Sequence, residues 1–145
     1  MACKQFEITG KCNLSCRACY NKYLMESLGD IEIKSVLKHV SVGDIVFLGG
    51  GEPMIHPGIQ ELVEKLVNIP TEVVIATNAT IYKKMPQQAQ IQISVWTLNP
   101  SLFNHILGGT GRQLRKVKKN IGLYSRKNII YSKNKPSVER DYLKC

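Results

Sequence analysis

The sequence predicts an α/β fold built on a parallel sheet of four to five strands. Three observations point there. Short apolar or alternating stretches, "KQFEIT", "DIVFLGG", "TEVVIATNA" and "IQISVWTL", recur along the chain at strand length. Between them lie segments whose apolar residues fall at helical spacing. The connections are brief, and such an alternation favours βαβ units over separate helical and strand layers.

Taken in order, residues 4–9 alternate, with Phe6 and Ile8 on one side, and form a first strand. Residues 30–40 open with Asp30 in N-cap position and place Ile33, Val36, Leu37 and Val40 on one helical stripe. Residues 44–50 are a continuous apolar run ending in glycines, as expected of a strand buried on both faces. Residues 56–70 carry Pro57 near the start and Ile59, Leu62, Val63 and Leu66 on one stripe, a second helix. Residues 71–79 repeat the buried-strand pattern, and a short helical or irregular piece follows around residues 81–85. Residues 91–98 form a fourth strand, and one or two helical turns occupy residues 99–107. Residues 111–127 make a basic helix with Leu114, Val117, Ile121 and Tyr124 facing inward, and residues 128–133 suit a fifth strand. The remaining residues are polar and carry no periodicity.

At 145 residues the chain is the size of one domain, and 43% hydrophobic residues exclude a disordered one. No stretch reaches the ~20 apolar residues of a membrane span, and Lys4, Glu7 and Lys11 interrupt any signal-peptide pattern, so a cytoplasmic location is expected. The net charge of +9 is uneven: Lys/Arg and Asp/Glu balance over residues 1–111, and the whole excess lies in residues 112–145. Such a patch attracts phosphates or acidic polypeptide; it reads equally as a solvated helix face. Little aromatic interleaving accompanies it, so a nucleic-acid partner is weakly supported. Of five cysteines, three crowd into "CNLSCRAC". Clustered thiols in a reducing compartment point to metal or redox chemistry, while Cys3 and Cys145 read as free thiols.

Ligands of open parallel sheets sit at the carboxyl ends of the strands, and the unusual motifs all fall at such ends. Cys12, Cys16 and Cys19 follow the first strand with C-x3-C-x2-C spacing, "GGGEP" (49–53) follows the second, Thr77 and Asn78 end the third, and Ser94 lies on the fourth. Three thiolates suit a structural zinc completed by His39 or His56. Neither histidine has the short ligand spacing of a zinc finger, and the thiolates suit better an iron–sulfur cluster with one iron left open. His56 and His105 receive no catalytic role.

The loop "CNLSCRACYN" resembles the signature of the radical S-adenosylmethionine superfamily, and Gly50–Pro53 ("GGEP") resembles its glycine-rich motif after strand two. Thr77–Asn78 and Ile93–Ser94 fall where members carry similar pieces, and residues 98–121 are similar to a stretch common in peptide- and cofactor-maturing members. The resemblance covers roughly residues 5–125 and implies an abbreviated partial (βα) barrel. In that reading residues 1–125 are the core and residues 126–145 a basic C-terminal strand and tail.

The resemblance implies that Cys12, Cys16 and Cys19 ligate three irons of a 4Fe-4S cluster, with S-adenosylmethionine on the fourth. Gly50, Gly51, Glu52 and Pro53 receive the methionyl ammonium, Thr77, Asn78 and Ser94 the carboxylate or ribose, and Ala18 and Tyr20 lie beside adenine. One electron then cleaves S-adenosylmethionine to a 5′-deoxyadenosyl radical that abstracts hydrogen from a substrate. A peptide or protein substrate is expected, docking on the basic C-terminal region, with an electron donor of flavodoxin or ferredoxin type and no membrane partner. Six βα units are usual in the superfamily; fewer are counted here, leaving a face that a large partner would cover. Two alternatives accompany this reading: an activating enzyme of a glycyl-radical enzyme such as anaerobic ribonucleotide reductase, and a non-catalytic iron–sulfur or zinc module.

Overall fold

The computed structural model describes residues 1–19, 27–124 and 129–131. Strands β1 (Cys3–Thr9), β2 (Ile45–Gly50), β3 (Glu72–Thr77), β4 (Gln90–Ile93) and β5 (Ile129–Tyr131) form one sheet, ordered as in the chain. Every neighbouring pair is parallel. Helices α1 (Ile33–Leu37), α2 (Ile59–Asn68), α3 (Pro100–Leu107) and α4 (Gly111–Tyr124) connect them, with one 3-10 turn at Pro53–Ile55. Because strand order follows chain order, right-handed crossovers all pass over the same side. Helices therefore cover one face, and the other curves around an interior, as in part of a (βα) barrel and unlike a doubly wound sheet. The expected α/β partial barrel is the observed fold. No described helix is long and apolar enough to cross a membrane.

The core lies between the covered face and the helices. Ile8, Val46, Leu48, Val73, Ile75, Ile91 and Ile93 pack against the α2 stripe Ile59, Leu62, Val63 and Leu66, and against Phe103, Leu114 and Val117. Removing this apolar surface from water, which contributes about 25 cal/mol per Å2, is what holds these layers together.

Several boundaries depart from expectation for local reasons. Strands β2 and β3 are apolar but not packed on both faces: Phe47, Gly49 and Ala76 turn to an interior cavity. Helix α1 starts later than Asp30, because the Asp30 carboxylate accepts from Thr9 Oγ1 (2.7 Å) and Lys11 Nζ (2.7 Å), and Ile31 N–H donates to Ile8 O (2.9 Å). This segment is pinned to the end of β1, and Glu32 becomes the N-cap. Strand β4 ends at Ile93, which pairs with Thr77, the last residue of β3; Ser94 makes one further link, its N–H donating to Thr77 O (2.8 Å). Helix α3 is set by Asn99, whose Oδ1 accepts from Ser101 N–H (3.0 Å) and Leu102 N–H (3.2 Å), and by Gly108 in left-handed conformation at its end. Cys3 is disulfide-bonded, not the free thiol expected; Cys145 lies outside the described residues.

Candidate metal and cofactor site

The end of β2 lies directly on the backbone entering the cysteine loop. Gly51 N–H donates to Thr9 O (2.8 Å) and Glu52 N–H to Lys11 O (2.8 Å). A Cβ on Gly50 would meet Thr9 O at 2.5 Å, and one on Gly51 would meet Lys11 O at 2.1 Å. Gly50 also has φ 113°, a conformation that side chains disfavour. Two glycines are therefore required for the two backbones to touch.

Glu52 is fully buried and turns toward β3. Its Oε1 accepts from Met54 N–H (3.0 Å) and Thr77 Oγ1 (2.6 Å), and its Oε2 from Asn78 N–H (2.7 Å). Burial raises the Glu52 pKa, and the hydrogen bonds from Thr77, Asn78 and Met54 oppose that rise. Glu52 and Thr77 thus commit their side chains to each other, locking the β2 and β3 ends together. Pro53 is buried at the start of the 3-10 turn.

Cys12, Cys16 and Cys19 are free thiols. All three border one cavity of about 520 Å3, as do Ala18, Gly50, Gly51, Thr77, Asn78 and Ser94. That volume suits a small-molecule site. Tyr20 lies outside the described residues. Among the described residues, no three His, Cys, Asp or Glu side chains are gathered tightly enough to hold a metal ion; the thiols line a wall and do not form a closed knot. Burial pushes the Cys12 and Cys16 thiols up; the Leu14 N–H works against this at Cys12, and at Cys16 the neighbouring Cys12 and Cys19 add to it.

The loop is anchored from three sides. Asn13 Nδ2 donates to Thr80 Oγ1 (2.8 Å), its Oδ1 accepts from Asn78 Nδ2 (3.0 Å), and its backbone carbonyl accepts from Gln113 Nε2 (2.9 Å). Ser15 and Arg17 N–H donate to the α3 carbonyls of Leu107 (3.2 Å) and Ile106 (2.9 Å). Gly108 closes this contact, since a Cβ there would meet Ser15 O at 2.9 Å. Sequence reasoning missed Asn13, a residue between two motif cysteines, and Thr80 and Gln113, which lie outside the motifs. It also missed the cavity residues Gln5, Glu7, Phe47, Gln92 and Trp96. Here a signal existed: Gln5 and Glu7 alternate with Phe6 and Ile8, and Gln90 and Gln92 with Ile91 and Ile93, placing polar groups on the face opposite the core.

The donor set fits an iron–sulfur cluster better than zinc. Both nitrogens of His56 are engaged, Nδ1 accepting from Gly58 N–H (3.0 Å) and Nε2 donating to Ile31 O (2.9 Å), and His39 Nδ1 donates to Ser35 O (2.8 Å). Neither histidine borders the cavity. Soft thiolates suit iron–sulfur ligation, and the Gly50–Gly51 backbone borders the same cavity.

Fold and site together define a partial (βα) barrel with a thiol loop and a glycine cradle at its strand ends. The chain belongs to the Radical SAM superfamily, whose family model matches residues 6–134; the cofactors of that family are a 4Fe-4S cluster and S-adenosylmethionine. It is 31% identical over 114 residues to a probable GTP 3′,8-cyclase of Methanothermobacter thermautotrophicus, covering 70% of this chain and 37% of that protein. It is 27% identical over 122 residues to the antilisterial bacteriocin subtilosin biosynthesis protein AlbA of Bacillus subtilis, covering 73% of this chain and 27% of that one. The chain thus spans about a third of the length of these relatives. The crystal structure of Streptococcus suis SuiB bound to precursor peptide SuiA shares the fold, with a TM-score of 0.67 at 19% identity, over 90% of this chain and 32% of that one.

Proposed function

We propose that the chain is a radical S-adenosylmethionine enzyme acting on a peptide or protein substrate. One observation carries the enzymatic part: three free thiols and a side-chain-free glycine turn border the same cavity. Cys12, Cys16 and Cys19 would hold the cluster, and the Gly50–Gly51 backbone would accept from the methionyl ammonium. Thr77, Asn78, Ser94 and Ala18 border the space left for the nucleoside. Glu52 serves this site as a strut, fixing the glycine turn against β3. When bound, the cofactors supply reductive cleavage of S-adenosylmethionine to methionine and a 5′-deoxyadenosyl radical that abstracts a substrate hydrogen. The chain's own part is to position the reactants and exclude water.

Two relatives support a polypeptide substrate: AlbA, named for bacteriocin biosynthesis, and SuiB, crystallised with its precursor peptide. Helix α4 adds an exposed basic face, Arg112, Arg115, Lys116, Lys118 and Lys119, with no acidic residue among them, suited to an acidic peptide segment. Residues 126–145 carry further basic charge in sequence, which we assign to the same docking role, and an electron donor of flavodoxin or ferredoxin type serves the cluster.

The test is anaerobic reconstitution with iron and sulfide, then reduction with S-adenosylmethionine. The expected product is 5′-deoxyadenosine, lost in Cys16→Ala; a colourless, zinc-loaded protein that forms none would overturn the proposal.

A further inference from the structure

The inner face of the sheet carries a charged group that the chemistry above does not use. Glu7 Oε1 accepts from Gln5 Nε2 (2.6 Å), whereas Glu7 Oε2 is buried without a hydrogen-bond partner. Among the described residues bordering the cavity, Glu7 is the one with a formal charge. A buried carboxylate oxygen left unpaired is costly, and a cation carrying N–H groups is what relieves it.

The surroundings are shaped for such a guest. Glu7 pairs with Gly49 on β2, by the same register Gly49 stands beside Ala76 on β3, and Ala76 pairs with Gln92 on β4. Two small residues therefore separate a carboxylate on one strand from an amide three strands away, leaving a trough roughly 14 Å across at normal strand spacing. A point one bond length above Gly49 lies 3.5 Å from Phe47 Cε1 and 3.8 Å from Glu7 Oε2, so an aromatic ring and the free oxygen border the same spot. Trp96 stands at the rim, 43% exposed. Rings beside a carboxylate attract cations further.

We infer that the trough over Gly49 is a substrate subsite in which Glu7 binds a cationic ammonium or guanidinium side chain, anchoring a lysine or arginine beneath the strand ends. This rests on the proposed peptide substrate and extends it to a residue class. Glu7 is two residues short of the end of β1, and its Oε2 also comes within 3.3 Å of the Cβ position of Gly50, so the subsite adjoins the turn assigned to the methionyl ammonium.

The test is a binding titration on the metal-free full chain, which stands apart from turnover. The probes are N-acetyl-lysine methylamide, N-acetyl-arginine methylamide, and their neutral counterparts built on Nε-acetyl-lysine and citrulline. The cationic probes are expected to bind about 10- to 100-fold tighter than the neutral ones, the range for one hydrogen bond to a charged group. The isosteric Glu7→Gln is expected to erase that preference. Gly49→Ala, whose methyl meets only ordinary contacts, keeps the preference while weakening both cationic probes several-fold. Equal binding of charged and neutral probes overturns the inference, as does an unchanged preference in Glu7→Gln. So does a Glu7→Gln defect confined to S-adenosylmethionine binding, which would give the carboxylate to the cosubstrate. Failure here with 5′-deoxyadenosine still formed removes the subsite and leaves the enzyme; the reverse result removes the enzyme reading alone.

Discussion

The two faces of the sheet are cut from the same strands and do opposite work. Toward the helices, Ile8, Leu48, Ile75 and Ile91 are all fully buried in one apolar core. Toward the interior, their chain neighbours Glu7, Gly49, Ala76 and Gln92 border a cavity. Stability is concentrated on the first face and chemistry on the second, and a shift of one residue along a strand passes from one to the other.

The sharpest check is a pair of adjacent truncations. Ile91→Ala on the helix face should cost about 2–5 kcal/mol of stability in a denaturant titration. Gln92→Ala, one residue on, should change it by about 0.5 kcal/mol or less. Equal costs would break the division between faces. At the strand ends, where the faces meet, Glu52→Ala should cost at least about 2 kcal/mol, because Thr77 Oγ1 and the Met54 and Asn78 N–H groups lose their acceptor. Gly51→Ala should cost about 1–3 kcal/mol, since its Cβ presses on the Lys11 carbonyl, and should weaken S-adenosylmethionine binding more than it weakens the fold.

The smallest expected effect lies at the opposite strand end and serves as a control. Lys4 beside Asp44, aided by the Ser41 and Ala2 N–H groups, pulls the Asp44 carboxyl down to about 2. A depressed carboxylate stabilises fully above its unfolded value of ~3.9 and loses that contribution as pH falls through about 2. Asp44→Asn should flatten this acid limb of the stability profile without altering cofactor binding at neutral pH.

Much of the architecture was legible because a helix buried on one side must repeat its apolar residues, as α2 does with Ile59, Leu62, Val63 and Leu66. The thiol loop and the glycines were legible because few other chemistries call for those residue types at that spacing. Less legible was the use of each side chain. Glu52 read as a ligand for a cation, and folding turns it inward onto Thr77 and Asn78. Asp30 read as a helix cap, and it binds Thr9 and Lys11 instead. In both cases the partners are distant in sequence, so no local pattern could announce them.

Local chain chemistry was enough to set the order of strands and helices, the parallel sheet, and the thiols and glycines at its carboxyl ends, because propensity, periodicity and spacing act within a few residues. Which polar groups would be spent on holding loops together and which left facing the cavity depended on contacts between segments far apart in sequence. The Asn13 carbonyl bound by Gln113, and Glu7 left with an unpaired oxygen over Gly49, came into being only when the strands closed around a common interior.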